Sequence, residues 1–281
     1  MGCAPSSPPM QSYTVHGVSI PALGLGTWQL TGEAARDAVE HALAVGYRHL
    51  DTAQIYKNEA EVGAGLAASG VPRADVFVTT KVWMNAMGAG RLAPSVDESL
   101  RKLQTDYVDL LLLHWPNDSV DFEATLEALA DVRASGKARL VGVSNYPPAM
   151  LRRALDVVPA LATDQVEYHP FLGQDPLLAI VRERGMVLTA YSPLAQGGVL
   201  ADETLAEIAA MHGATPAQVA LAWLLEQDRV VAIPKASSAA HREGNLGALA
   251  LTLTDDDRRQ IAALPKDRRL ADPDFAPDWN D

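Results

Sequence analysis

Cysteine is nearly absent from this sequence: among 281 residues there is one, Cys3, which excludes an internal disulfide framework. Lysine is scarce too, six against seventeen arginines, so a lysine at a structurally marked position carries weight. Positive charge as a whole is short, with 23 Lys and Arg against 35 Asp and Glu and a formal net charge of -12. That balance argues against a surface for nucleic acid or anionic lipid, while a local basic pocket for an anionic ligand remains allowed. No apolar run reaches the roughly 18 residues a membrane-crossing helix needs, and no signal-peptide hydrophobic region comes after the start. The seven histidines are scattered without ligand spacing, so no metal site is expected. The compartment these absences favour is the cytoplasm.

What is present is an alternation. The first residues, MGCAPSSPP, match a loose myristoylation pattern through Gly2 and Ser6, with Cys3 as a second lipid site. An arginine-rich and alanine-rich composition favours the plainer reading, a Pro/Ser-rich disordered leader over 1–12 followed by one domain over 13–281. After a hairpin pattern, YTVHGVSIPAL, eight strand-like runs recur: 23–26, 47–51, 76–80, 107–113, 139–143, 162–166, 186–191 and 230–234. Amphipathic or Ala-rich helical patterns separate them at 33–45, 59–69, 92–103, 122–135, 148–157 and 176–184, as a pair over 204–226, and at 239–248. Eight β-then-α units with short loops and strands apolar on both faces describe a (β/α)8 TIM barrel more simply than two domains. LTDDDRRQIAAL reads as an extra capped helix, and DPDFAPDWND as a Pro/Asp-rich tail that cannot be helical throughout. GAGLAA at 63–68 fits a dinucleotide-binding glycine spacing loosely, but it sits inside a helical pattern and reads as helix packing.

In such a barrel the chemistry sits at the C-terminal ends of the strands. The second run ends in Asp51, with Tyr56 in the loop after it; the third ends at Lys81; the fourth at His114. A tyrosine near its reference pKa of about 10 is a poor acid at neutral pH, and a Lys81 ammonium beside it is expected to lower that value. Asp51 would hold the lysine charged, and His114 would donate a hydrogen bond to the oxygen that Tyr56 protonates. Such a set suits a general acid serving a developing alkoxide, and it needs a separate hydride donor. Singly, each residue has a plain alternative: Asp51 as a helix cap or ion pair, Tyr56 as a rim aromatic, His114 as a satisfied core histidine. Lys81 also admits a Schiff-base aldolase, and fold alone leaves open a sensor barrel without turnover.

The segments GYRHLDTAQIYKNEAEVG, VTTKVW, LLLLHWP, LVGVSNY, QVEYHP, AYSPLAQG and AIPKASSAAHREGNL, in this order over Val15 to about Leu264, resemble the successive signatures of the aldo-keto reductase family. The segment between His114 and Phe122, TPAQVALAWLLEQ and the tail look most like its bacterial 2,5-diketo-gluconate and methylglyoxal reductase branch. The resemblance implies Asp51, Tyr56, Lys81 and His114 as catalytic positions and a nicotinamide cofactor as hydride donor. Ser144, Asn145 and Gln165 would hold its carboxamide, and Tyr191 would stack on one face of its ring. Gly26, Thr27 and Asp51 at the first two strand ends would line the cofactor site, as would Ser192, Pro193, Leu194 and Gln196 after the seventh. Ile233, Lys235, Ser237, His241 and Asn245 would complete it, with Lys235 and the next helix N-terminus facing the phosphates.

The sequence departs from the family pattern at Ala236, at His241 where an arginine usually meets the adenosine 2′-phosphate, and at Gly244. A neutral histidine cannot make arginine's bidentate contact, so NADPH is expected with NADH tolerated, and Arg242 is a candidate substitute for the missing arginine. Trp28, Trp83 and Trp115 come just after strand ends near the catalytic positions, and Trp279 in the tail could close the mouth. With Tyr56 and His114 they form the expected substrate pocket for small aldehydes, α-dicarbonyls, keto-acids or keto-esters, with Gln54 as a further polar contact. A monomer is expected.

Overall fold

A computed structural model describes residues 11–88 and 90–279. Gly2, Cys3 and Ser6, the residues of the lipidation pattern, lie outside them. Strands β1 (Ser12–Val15) and β2 (Val18–Pro21) form an antiparallel hairpin. Its two turn residues, His16 and Gly17, both have positive φ, as a tight two-residue turn requires. The hairpin carries Val15, Val18 and Ile20 into an apolar cluster with Phe77, Leu110, Leu140, Val187 and Val231, so it stoppers the N-terminal end of a parallel barrel.

The eight barrel strands are β3 (Leu25–Gly26), β4 (His49–Asp51), β5 (Phe77–Val82), β6 (Val108–Leu113), β7 (Ala138–Ser144), β8 (Leu161–Glu167), β9 (Val187–Tyr191) and β10 (Val230–Ala232). Neighbours in sequence are neighbours in the sheet. The circle is closed by parallel bonds between its first and last members: Ala232 N donates to Ala22 O (2.8 Å), Gly24 N to Ala232 O (2.9 Å) and Gly26 N to Pro234 O (3.1 Å). Gly26 is glycine for a steric reason, because a Cβ there would lie 2.6 Å from Ile233 O.

Around the strands lie α1 (Gly32–Ala44), α2 (Glu59–Ala68), α3 (Leu92–Leu103), α4 (Phe122–Ala134), α5 (Pro148–Val157), α6 (Asp175–Glu183), α7 (Glu203–His212), α8 (Pro216–Leu225) and α9 (Ala239–Leu246). The extra helix α10 (Asp255–Ala262) starts with a capping box between Thr254 and Asp257. The (β/α)8 barrel, the N-terminal hairpin and the extra helix read from the sequence are all present. Element edges move by a residue or two, and one shift matters: Lys81 lies inside β5 rather than at its end, because β5 continues pairing with β6 through Val82. The GAGLAA glycines are indeed packing residues. In α2, a Cβ on Gly63 would sit 2.6 Å from the Leu103 carbonyl carbon, and one on Gly65 would sit 2.6 Å from Arg36 O. No single helix among the described residues is long and apolar enough to cross a membrane.

Candidate active site

Strand periodicity decides what enters the barrel mouth. Side chains alternate along β4 and β5, so Asp51 and Lys81 point inward while Leu50 and Val82 join the shell beneath the helices. Both charged groups are fully buried, a configuration tolerated only because they pair and their remaining valences are filled. Lys81 Nζ lies 2.5 Å from Asp51 Oδ1 and donates to Thr52 O at 2.9 Å and to the Tyr56 hydroxyl at 3.4 Å. The other Asp51 oxygen accepts from Gln165 Nε2 at 2.8 Å.

Tyr56 ends a short 3-10 turn, Gln54–Tyr56, followed by Lys57 in the left-handed region at φ 56°. Asn58 clamps this loop: its Nδ2 donates to Thr27 O and Leu30 O (2.8 and 2.9 Å) and its Oδ1 accepts from Thr52 Oγ1 (2.7 Å). Thr27 sits below the cavity, donating through Oγ1 to Asp51 O at 2.9 Å. His114 lies edge-on to the Tyr56 and Trp83 rings, at centroid distances of 5.6 and 5.2 Å, and its Nδ1 is buried without a protein partner. The tetrad read from three successive strand ends is thus one contiguous cluster.

The electrostatics differ from the expectation for Tyr56. Burial pushes its phenol well above the ordinary value of 10.0, and the Asp51 charge pushes the same way. The lowering expected from Lys81 does not prevail, because Lys81 is paired at contact distance with Asp51 and the pair presents no net positive charge to the phenol. Burial also pulls Lys81 below its ordinary value, opposed by Asp51. Burial first, and the Lys81 ammonium second, hold His114 well below 6.5, so it is neutral at physiological pH.

Asp51, Tyr56 and His114 floor a cavity of about 640 Å³, with Lys81 behind them. One wall is Ser144, Asn145, Gln165 and Tyr191. Asn145, at φ 64°, donates to His114 O (3.0 Å) and to Ser144 Oγ (3.0 Å), and its Oδ1 accepts from the Tyr191 hydroxyl (2.8 Å), which fixes the plane of that ring. Ser192, Pro193, Leu194, Gln196, Ile233 and Lys235 continue the lining away from the tetrad, and Gly26 and Trp28 face them. Lys235 Nζ bonds Ser237 Oγ (3.1 Å) just before α9, whose first turn is capped by Ser238 accepting from His241 N. Ser237, His241 and Asn245 stand beside this end without lining the cavity, the first two exposed and Asn245 buried. The remaining wall is Trp28, Ile55, Trp83, Trp115 and Ala271.

Three side chains expected at the site do not line the cavity. Gln54 faces away from the cavity: its Nε2 contacts Ser95 and Ser99 and its Oε1 accepts from Trp83 N (2.9 Å), so it braces the loop against α3. Arg242 is buried, donating from Nη1 to the carbonyls of Ala236 (3.1 Å) and Ser237 (2.9 Å) and from Nε to His41 Nδ1, so it supports the Lys235 loop from behind and presents no free fork to a phosphate. Trp279 does not line the cavity; it packs edge-on at 6.1 Å from Trp115, with the Arg269 guanidinium 3.7 Å above its ring. The tail residue nearer the mouth is Phe275, edge-on to Trp83 and Trp115 at 5.9 and 5.4 Å. Phe275, Gln29, Ile55, Gly197, Pro234, Ala271 and the clamp Asn58 do not stand out in the sequence; only Ile55, one residue before Tyr56, has a positional signal.

The comparisons agree with this geometry. Residues 22–266 match the model of the aldo/keto reductase family. Methylglyoxal reductase DkgB of Escherichia coli O157:H7 is 44% identical over 268 residues, spanning 94% of this chain and all of that protein. An aldo-keto reductase of Mycolicibacterium smegmatis is 40% identical over 258 residues, 90% of this chain and 93% of that one. A crystal structure assigned to a 2,5-diketo-D-gluconic acid reductase B superposes with a TM-score of 0.94 at 44% identity, covering 96% of this chain and 98% of the other. A buried Asp–Lys pair touching a tyrosine, set in a barrel that matches these proteins along nearly its whole length, places the chain in the aldo/keto reductase family.

Proposed function

We propose that the protein reduces small aldehydes, α-dicarbonyls and keto-acids or keto-esters with NADPH, tolerating NADH, and that Tyr56 is the general acid. The observation that carries this reading is the continuous contact Asp51–Lys81–Tyr56 under a cavity that His114 also faces. The names of the relatives, a methylglyoxal reductase and a diketo-gluconate reductase, point to the same substrate range.

A nicotinamide dinucleotide fits the donors present. One cavity offers an aromatic face at Tyr191, an amide and hydroxyl group at Ser144, Asn145 and Gln165, and a cation at Lys235 beside a capped helix N-terminus. When bound, the cofactor supplies the hydride. Tyr191, its hydroxyl held by Asn145, would stack on one face of the nicotinamide and so leave the other available to a substrate. Tyr56 donates its proton to the carbonyl oxygen as charge builds there; its high pKa keeps that proton in place until an alkoxide, a far stronger base, develops. Lys81 then stabilises the phenolate through its bond to the same oxygen, while Asp51 holds Lys81 charged. Neutral His114 orients the carbonyl by donating from its ring. Apolar walls exclude water from this step.

Lys235 favours NADPH, whereas Ala236, His241 and Gly244 offer no bidentate partner for the 2′-phosphate, and Arg242 is committed elsewhere. The Schiff-base reading gains no support: Lys81 Nζ donates to three oxygens and does not line the cavity. The same proposal includes a monomer working in the cytoplasm on small carbonyl compounds, without nucleic acid or membrane partners. The deciding experiment monitors oxidation of NADPH and NADH in parallel with methylglyoxal and a β-keto ester. Faster oxidation of NADPH is the expected result. Equal rates would make the 236–244 segment a relaxed cofactor site, and no oxidation of either with cofactor bound would overturn the proposal.

A further inference from the structure

Beyond the tetrad, one buried acid has no part in the proton transfer. Glu167, the last residue of β8, is fully buried at the barrel mouth, two positions after Gln165. Its carboxylate does not touch the cavity and, among the described residues, meets no lysine or arginine at contact distance. Instead it accepts from the backbone of a segment about a hundred residues later: Leu270 N at 2.9 and 3.0 Å to its two oxygens, and Ala271 N at 2.8 Å. His169 Nε2 lies 2.9 Å from the same carboxylate. The donor direction is settled locally, because His169 Nδ1 accepts from Phe171 N and the remaining ring proton must therefore point at Glu167.

Two successive backbone N–H groups converging on one buried carboxyl group hold their segment at a fixed distance from it. They fix the place where the tail leaves the barrel. Ala271 itself lines the cavity, Phe275 reaches Trp83 and Trp115, and Trp279 leans on Trp115 beneath Arg269. Between Ala271 and Trp279 the chain forms no helix or strand, so nothing regular holds it in register. The approach before it is tied by the Leu172–Asp267 bridge, by Arg268 N donating to Phe171 O (2.9 Å), by Gly173 N donating to Lys266 O (3.1 Å) and by the bonds of Lys266 to Pro170 O and Ile261 O; beyond these, Glu167 holds the next two backbone N–H groups.

We infer that Glu167 is a positioning residue for carbonyl specificity: by capturing the N–H groups of Leu270 and Ala271 it seats the tail that walls the substrate end. It acts on how substrates are held, not on proton or hydride transfer. This rests on the reductase reading for its kinetic consequence, though not for its structural one.

The test is Glu167→Gln in the full chain, which keeps volume but sets an amide N–H against backbone donors. The expected result is a rise of about tenfold in KM for the β-keto ester with kcat and NADPH affinity within about twofold of the parent, as replacing an acceptor by a donor opposite buried backbone N–H groups implies. Crossing it with Phe275→Ala gives less than the product of the two single effects, because both unseat one wall. Trypsin should also cut faster at Arg268 and Arg269 in Glu167→Gln, a readout that needs no turnover. Should Glu167→Gln fail to fold, Ala271→Pro deletes one of the captured donors from the other side, and the same KM rise and faster cleavage are expected. Unchanged KM and unchanged tryptic cleavage would overturn the inference, as would effects of the two substitutions that multiply in full. A parent enzyme inactive on every carbonyl would instead overturn the reductase reading, and the tryptic comparison would then decide this one alone.

Discussion

At Tyr56 the phenol oxygen meets a lysine whose charge is already answered by Asp51, and burial dominates what remains. The proton-donating form is therefore the stable one over the whole neutral range. Reduction should run at a flat rate from about pH 6 to about pH 9 and decline only where the phenol itself ionises, above its ordinary value of 10.0. A rate break near 6.5 would mean that His114 titrates where its burial and Lys81 say it should not. Tyr56→Phe should cost about 10²- to 10⁴-fold in kcat with cofactor affinity unchanged, measured by steady-state rates and by quenching of tryptophan fluorescence. Asp164 offers a stability test. It is fully buried, its Oδ2 has no partner, and its Oδ1 has only a 3.5 Å contact with Tyr146 N. Burial raises it well above 3.8, so in the folded state it prefers to be neutral. A folded value above the unfolded one means that stability is full below 3.8 and declines as pH rises toward the folded value. Asp164→Asn should accordingly melt higher than the parent at pH 7 and alike below pH 3.8, as thermal unfolding at both values would reveal. The clustering of Asp51, Tyr56, Lys81 and His114 was legible from the sequence because a (β/α)8 barrel gathers the ends of successive strands, and the loops just after them, at one mouth. Gln54, Arg242 and Trp279 were not, since in a 3-10 turn, on a helix flank or in a tail the direction depends on what packs alongside.

At the level of elements, the helices were readable from their periodicity and, for the extra helix, from its cap, where Thr254 and Asp257 open α10. Their edges shifted where strand pairing, set by neighbours, extended or shortened a run; β10 stops at Ala232 although its apolar run continues to Pro234. The α2 glycines show what a loose motif can mean when tertiary context is supplied. Their missing side chains let α2 lie directly on the backbones of α1 and α3. Gly65→Ala should therefore destabilise by about 1–3 kcal/mol, since the added methyl meets the Arg36 carbonyl and Val39. Urea unfolding checks this: a midpoint equal to the parent's would show that the helices can part without cost.

For the molecule as a whole, the fold class came from the count and order of the runs. The particular bonds that close the circle did not, because those between Ala22, Gly24 or Gly26 and residues 232–234 involve positions that are remote in sequence and carry no local mark. That seam has a consequence for how the protein is made. On a ribosome the first barrel strand emerges early and has no partner on one edge until the last has been synthesised, and Lys235, the proposed partner of the cofactor phosphates, is added only then. The nascent chain must therefore wait, its edge strand open to chaperones or to misassembly, until nearly all of it has left the exit tunnel. Arrested chains of increasing length should stay protease-sensitive until the 232–235 segment clears the tunnel, and should retain NADPH only past the same point; protection gained at half length would mean that half a barrel stands alone.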